Sequence, residues 1–173
     1  MFKRILVAVD GSPTANRGLK LALSLAAEHG ATLYVLHVID DVMLVQGFGG
    51  NAYVPPEYVD SLLTSLREAG RRIIARAAKM AEQHGQTVQP LLVETLGQTV
   101  AQTVLTQARK LRADLIVLGT HGRRGLTRLV MGSDAEAIVR EARIPVLLVR
   151  SPATARSAHS PGKPATARRA SAA

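Results

Sequence analysis

The sequence predicts an α/β protein, a doubly wound sheet of five parallel strands with helices on both faces. Hydrophobic periodicity switches repeatedly between short apolar runs and longer stretches with apolar residues three and four apart, in the order βαβαβαβαβ. The runs are nearly continuous (ILVAV, LIVLG, VLLV), as in strands covered on both faces, where alternation with polar residues is lost. Glycines and prolines stand between the periodic stretches, where turns and helix ends are needed. Parallel strands joined through helices cross over in the right-handed sense.

Phe2 to Val9 reads as the first strand. Ser12-Pro13 then reads as an N-cap followed by proline at the first helical position. Ala15, Leu19, Ala22, Leu23 and Ala26 form the inward face of that helix, and Gly30 ends it. Ala31 to Val38 is the second strand, and residues 39–55, with Gly47, Gly49, Gly50 and Pro55, read as a long loop. A long helix follows, marked by Val59, Leu62, Leu63, Leu66, Ile73 and Ala77, with Gly70 expected to weaken it locally. Val88 to Val93 is the third strand, and Pro90 within it suits a sheet edge better than the centre. Val100, Val104, Ala108 and Leu111 mark the next helix, Asp114 to Leu118 the fourth strand, Ser133 to Ala142 a short helix and Pro145 to Val149 the fifth strand.

Length and composition restrict the function. One domain over residues 1–150 accommodates these elements, with a core that must be aliphatic, because apolar residues are 47% and aromatic residues only 3% of the 173. From Ser151 onward the chain is Ala, Ser, Pro, Arg and Lys, too poor in large apolar residues to offset its ordering entropy, and it reads as a disordered basic tail over 151–173. That tail holds Arg156, Lys163, Arg168 and Arg169, four of the cations behind the formal +9. A basic chain attracts polyanions, but few aromatics are available for base stacking and no helix carries a basic stripe, so specific nucleic-acid binding is not expected. Zero cysteines exclude disulfides, thiolate metal sites and thiol catalysis. No apolar run reaches the roughly 20 residues of a membrane span, and the N-terminal run is too short for a signal peptide, so a cytoplasmic protein is expected.

The stretch LIVLGTHGRRGLTRLVMGS, Leu115 to Ser133, carries the chemistry. A buried strand runs into Gly119, Gly122 follows, and the pair Gly132-Ser133 opens a helix. Glycines let backbone N–H groups approach an anion closely, and a helix N-terminus adds partial positive charge. Arg123, Arg124 and Arg128 lie inside the stretch with no acid beside them. A bound nucleotide is therefore expected, with loop flexibility plus an ordinary helix cap as the plainer alternative. In doubly wound sheets ligands sit at the carboxyl ends of strands where the order reverses. If strands one and four are neighbours, Asp10 faces the glycine stretch and accepts hydrogen bonds from a ribose or base. Equally, Asp10-Gly11-Ser12 is a turn plus helix cap. His121 either donates to an anion or is a solvated loop histidine, and His37 reads as a core or crevice residue. Asp134, in the first turn of its helix, favours the helix dipole but repels a phosphate unless a cation intervenes.

Other fingerprints are missing. GxxxxGK[ST] does not occur, nor does GxGxxG after the first strand, nor GxSxG, nor HExxH, which argues against a P-loop ATPase, a dinucleotide enzyme, an α/β-hydrolase and a zinc protease.

Gly119-x-x-Gly122, nine residues, then Gly132-Ser133 resembles the G-2x-G-9x-G-(S/T) nucleotide-binding motif of the universal stress protein family. ILVAVDGSP, DLIVLGTHGRRG and IPVLLVR look like that family's first, fourth and fifth strands, so the resemblance covers residues 1–150. It implies the strand order 3-2-1-4-5 and a bound adenine nucleotide, ATP or a relative, usually with Mg²⁺. Carried over by position, Val9, Asp10 and Val38 face adenosine, Leu118 and Gly119 lie near the ribose, and Gly122, Arg123, Gly132 and Ser133, with His121 beside them, hold phosphates. Asp134 and Ala135 depart from the small neutral and hydroxyl residues usual after the motif, which implies a lost phosphate contact. The resemblance also implies a homodimer through the last strand, where Val146, Leu147, Leu148 and Val149 form an apolar edge that a second copy covers. A stress regulator or sensor with at most slow ATPase activity is the leading expectation. A nucleotide-free interaction protein and a nucleotide hydrolase of related fold are the alternatives.

Overall fold

The computed structural model describes residues 1–40, 55–95, 97–120 and 131–150. Five parallel strands form one sheet: β1 (Arg4–Ala8), β2 (Thr32–Ile39), β3 (Gln89–Glu94), β4 (Leu115–Gly119) and β5 (Val146–Val149), in the order β3-β2-β1-β4-β5. Among the described residues four helices connect them: α1 (Pro13–His29), α2 (Pro56–Gln83), α3 (Val100–Lys110) and α4 (Ser133–Glu141). The expected fold class and strand order are both observed, and β1 and β4 are neighbours as the crevice requires. Among the described residues no helix is long and apolar enough to cross a membrane.

Side chains alternate strictly between two cores. Ile5 and Val7, Leu33 and Val35, and Leu115 and Val117 face α1 and α2, where Leu19, Leu23, Ala77 and Ala81 meet them. Leu6, Leu36, Ile116 and Leu118 face α3 and α4, where Val104, Leu105, Ala135 and Ile138 close over them. With both faces covered, neither set of positions can be polar, which explains the continuous apolar runs. The small alanines let the helices sit close to the sheet, replacing the bulk that aromatics supply elsewhere.

The ends of α1 follow the sequence signals. Ser12 Oγ accepts the Ala15 N–H at 3.1 Å, Pro13 is the first helical residue, and Gly30 ends the helix in the left-handed region at φ 61°. At the amino end of the sheet, the Asp114 carboxylate accepts the Lys3 N–H at 2.7 Å, tying the start of β1 to the start of β4. Helix α2 is longer than its apolar spacing suggested and runs through Gly70 without a break. A Cβ on Gly70 would lie 2.7 Å from Leu92 Cδ1 and 3.0 Å from His37 Cδ2. The glycine is there because α2 approaches β2 and β3 too closely for a side chain, and this outweighs its poor helix propensity of roughly 1 kcal/mol.

Strand β3 is an edge strand, as Pro90 suggested. Thr32 donates to Lys3 O and Leu36 O accepts from Val9, so even-numbered residues of β2 turn their backbone groups toward β1. The odd-numbered ones turn toward β3, where Thr95 donates to Ile39 O. The Pro90 nitrogen consequently faces away from the sheet, where its missing N–H costs no ladder bond. Glu94 on the same strand takes Arg67 of α2 in a two-pronged pair, Nε to Oε1 at 2.7 Å and Nη2 to Oε2 at 3.1 Å. Glu94 raises the Arg67 pKa, first through that hydrogen bond and then through its charge.

Candidate functional site

A cavity of about 410 Å³ opens at the carboxyl ends of β1, β2 and β4, on the face covered by α3 and α4. The strand order changes direction at the β1–β4 boundary, the place where open α/β sheets leave a crevice. Its size falls in the range of small-molecule sites, roughly 300–1,000 Å³. Ala8, Val9 and Asp10 come from the end of β1, Leu36, Val38 and Asp40 from the end of β2, and Leu118, Gly119 and Thr120 from the end of β4. Val100 and Val104 of α3 form an apolar wall, and Gly132 to Ala135 at the start of α4 close the far side.

The end of β1 is built as a tight turn. Asp10 Oδ1 accepts the Ser12 N–H at 2.9 Å, and Gly11 between them has φ 82°, a conformation other residues rarely adopt. The turn-plus-cap reading of Asp10-Gly11-Ser12 is thus observed, and Asp10 also lines the cavity. The same carboxylate position serves both.

Gly119 is the last residue of β4 rather than the first of the loop. A Cβ there would lie 3.0 Å from Thr14 Cγ2, 3.2 Å from Ala15 N and 3.3 Å from Thr14 C. Close packing of β4 on the first turn of α1 demands a glycine at this point. Gly132 differs: at φ −64° any residue fits, and the nearest protein atom to an added Cβ, Thr120 O, would be at 3.6 Å. Among the described residues no neighbour calls for glycine there, and Gly132 lines the cavity at the start of α4. Gly132 is the N-cap of α4 and Ser133 its first residue, so the glycine-serine pair opens a helix as expected. Gly132, as the N-cap, has no side chain to cap this end, and the first helical bond runs from Glu136 N–H to Gly132 O. The leading N–H groups of α4 therefore precede its own ladder, as at any helix start. Asp134 and Glu136 add acidic charge to the same first turn.

Of the residues expected in the site, Val9, Asp10, Val38, Leu118, Gly119, Gly132 and Ser133 all line this one cavity. His121, Gly122 and Arg123 lie outside the described residues, as do Arg124 and Arg128 and the expected tail 151–173. The base of that segment is defined, because Gly132 N–H donates to Thr120 O at 2.9 Å and Thr120 N–H donates to Val149 O at 2.9 Å. Sequence reasoning missed Asp40, Val100 and Val104. Asp40 was readable as the second residue beyond Val38 at the end of a strand beside β1, and the valines as the inward face at the start of α3. His37 is 5% exposed and its Nδ1 lies 2.7 Å from Val9 O, so the core or crevice role expected of it is observed. Among the described residues no three His, Asp or Glu side chains gather as a metal-binding group.

Comparison with known proteins agrees with this architecture. The family model described as the universal stress protein family matches residues 1–150. Universal stress protein MJ0531 of Methanocaldococcus jannaschii is 35% identical over 153 residues, covering 88% of this chain and 84% of that protein. A universal stress protein of Thermus aquaticus, named for the QAH/OAS sulfhydrylase 3′ region, is 38% identical over 152 residues, 87% of this chain and 100% of its own. The crystal structure of a universal stress protein family member from Burkholderia pseudomallei superposes with a TM-score of 0.67 at 35% identity, over 86% of this chain and 96% of that one. The fold alone is shared with two structures solved as complexes: a universal stress protein with cAMP (TM-score 0.60, 21% identity, 86% of this chain and 97% of that one) and the Archaeoglobus fulgidus universal stress protein with dAMP (0.57, 23%, 86% and 98%). With a sheet in the order 3-2-1-4-5, a crevice at its switch point and a match over residues 1–150, the chain belongs to the universal stress protein family.

Proposed function

We propose that this cavity binds an adenine nucleotide, and that the chain works as a regulator or sensor in a stress response, with at most slow ATPase activity. One observation carries the reading: a single space joins an apolar cleft, between the ends of β1 and β2 and the valines of α3, to the glycine-opened N-terminus of α4. A nucleoside phosphate presents the same two chemistries in the same order, a flat apolar base and an anionic tail. Fold relatives solved in complex with cAMP and with dAMP support an adenine nucleotide as the ligand. In this reading Val9, Asp10 and Val38 hold adenosine, Leu118 and Gly119 flank the ribose, and Gly132 and Ser133 receive phosphate together with His121, Gly122 and Arg123. Mg²⁺ would come with the nucleotide, held by phosphate oxygens and at most a carboxylate of Asp10, Asp40 or Asp134, since among the described residues no three acidic or histidine side chains gather as a cage. A homodimer paired through β5 belongs to the same reading, because Val146, Leu147, Leu148 and Val149 are only half-buried at the sheet edge.

The ligand released by denaturing freshly purified protein, identified by mass, tests the proposal. ATP, ADP or AMP is the expected result. Finding nothing, together with no heat of binding for any adenine nucleotide, would favour the nucleotide-free interaction protein that Asp134 makes the second reading.

Asp134 yields its own prediction. A carboxylate in the first turn opposes an incoming phosphate by the same 0.3–1 kcal/mol, roughly, with which it stabilises the helix. Asp134→Asn is expected to tighten ATP about two- to fivefold and leave adenosine unchanged. Calorimetric titration with both ligands checks this, and an equal gain for adenosine would exclude the charge explanation.

A further inference from the structure

The β1–β2 ladder stops one rung short of where its register allows. The pairing runs from Arg4 with Thr32 to Ala8 with Leu36, and the last backbone bond is Val9 N–H to Leu36 O at 2.8 Å. In a parallel ladder the next rung would be Val38 N–H to Val9 O, since odd residues of β1 and even residues of β2 face each other. That rung would make Val9 a strand residue, and β1 ends at Ala8. The Val9 carbonyl is taken instead by His37 Nδ1 at 2.7 Å. A carbonyl only accepts, so Nδ1 carries the hydrogen.

The imidazole is held firmly for this task. His37 is 5% exposed and belongs to the sheet face covered by α2. Its ring edge lies where a Gly70 Cβ would sit 3.0 Å from Cδ2 and 3.5 Å from Nε2, so the glycine in mid-helix makes room for the ring. A buried, close-packed side chain has already lost its rotamer freedom and presents Nδ1 to Val9 at no further cost in order.

We infer that His37 is a positioning residue for the cavity: by taking the Val9 carbonyl it ends the β1–β2 ladder early and leaves the Val38 N–H, at the cavity wall, for a ligand acceptor. The inference rests on the nucleotide reading only for the identity of that ligand. It explains why a polar ring occupies an otherwise apolar face. It also gives Gly70 a role in the site, although among the described residues none of α2 lines the cavity.

A scalar coupling across the hydrogen bond between Val38 ¹⁵N and Val9 ¹³C′ tests the arrangement without any ligand. The wild-type protein should lack it. His37→Leu, with no donor to offer, should gain it as the free rung closes, whereas His37→Asn carries an amide N–H near the Nδ1 position and should resemble wild type. Adenosine and ATP affinities should both fall about tenfold in His37→Leu, by the same factor, and recover in His37→Asn. A Val38–Val9 coupling in the wild-type protein would overturn the inference whether or not any variant folds. So would a His37→Leu protein that binds adenosine as tightly as wild type. If wild type binds no adenine nucleotide, the functional reading fails by itself, and the coupling still decides what His37 does.

Discussion

Gly119→Val is expected to cost about 3 kcal/mol of stability and to abolish measurable nucleotide binding. Strand propensity alone points the other way, because valine is among the best strand residues and glycine among the worst, over a scale of about 1 kcal/mol. The steric effect is larger and decides the sign. The first added carbon already meets Thr14 Cγ2 at 3.0 Å, Ala15 N at 3.2 Å and Thr14 C at 3.3 Å. Two of these are backbone atoms in the first turn of α1, which cannot swing aside as a side-chain tip does. Overpacking a rigid site of this kind costs roughly 1–3 kcal/mol, and the branched valine belongs at the upper end. Relief requires α1 to move away from β4, and α1 carries the Asp10–Ser12 turn with it. Urea denaturation and calorimetric titration with ATP would measure both effects. Alanine should fall between glycine and valine in each, and a valine variant with wild-type stability would show that the two elements are not pressed together here.

Asp10→Ala comes next in size, with a loss of about 10- to 100-fold in adenosine affinity expected against roughly 1 kcal/mol in stability. The stability loss comes from the Ser12 N–H, which Asp10 Oδ1 accepts at 2.9 Å. The affinity loss comes from removing a carboxylate at the cavity lining, where hydrogen bonds to a charged group contribute roughly 1.5–3 kcal/mol. Asp10→Asn separates the two, since an amide oxygen still accepts from Ser12 while the charge is gone. It should keep wild-type stability and still bind adenosine less tightly. An Asn variant that binds as well as wild type would reduce Asp10 to a turn residue.

The fold was legible because its signals are local and repeated. Each strand is short and apolar throughout, and both ends of α1 carry their caps in plain view at Ser12-Pro13 and Gly30. Pro90 placed β3 at an edge through backbone chemistry alone. The cavity was legible in part, for a related reason: glycines at strand ends, and Asp10 after β1, interrupt an otherwise apolar pattern. Val100 and Val104 gave no such signal, since a valine facing a cavity and a valine facing a core have the same spacing. The reason for Gly70 was not legible, because propensity describes a helix by itself, whereas the neighbours are Leu92 and His37 on strands distant in sequence. Gly119 was expected to bring backbone near an anion, yet the neighbour that demands it is the start of α1.

The orientation of Pro90 bears on how far this sheet can grow. Its two outer strands are not equivalent: β5 presents a full complement of backbone groups, while β3 presents an edge with a donor missing at Pro90. If two copies met β5 to β5, the joint sheet would carry Pro90 at both extremities, each with one backbone donor missing. A rigid proline near the middle of a six-residue strand thus disfavours pairing at that edge, and works against fibre growth in an aliphatic, aromatic-poor protein.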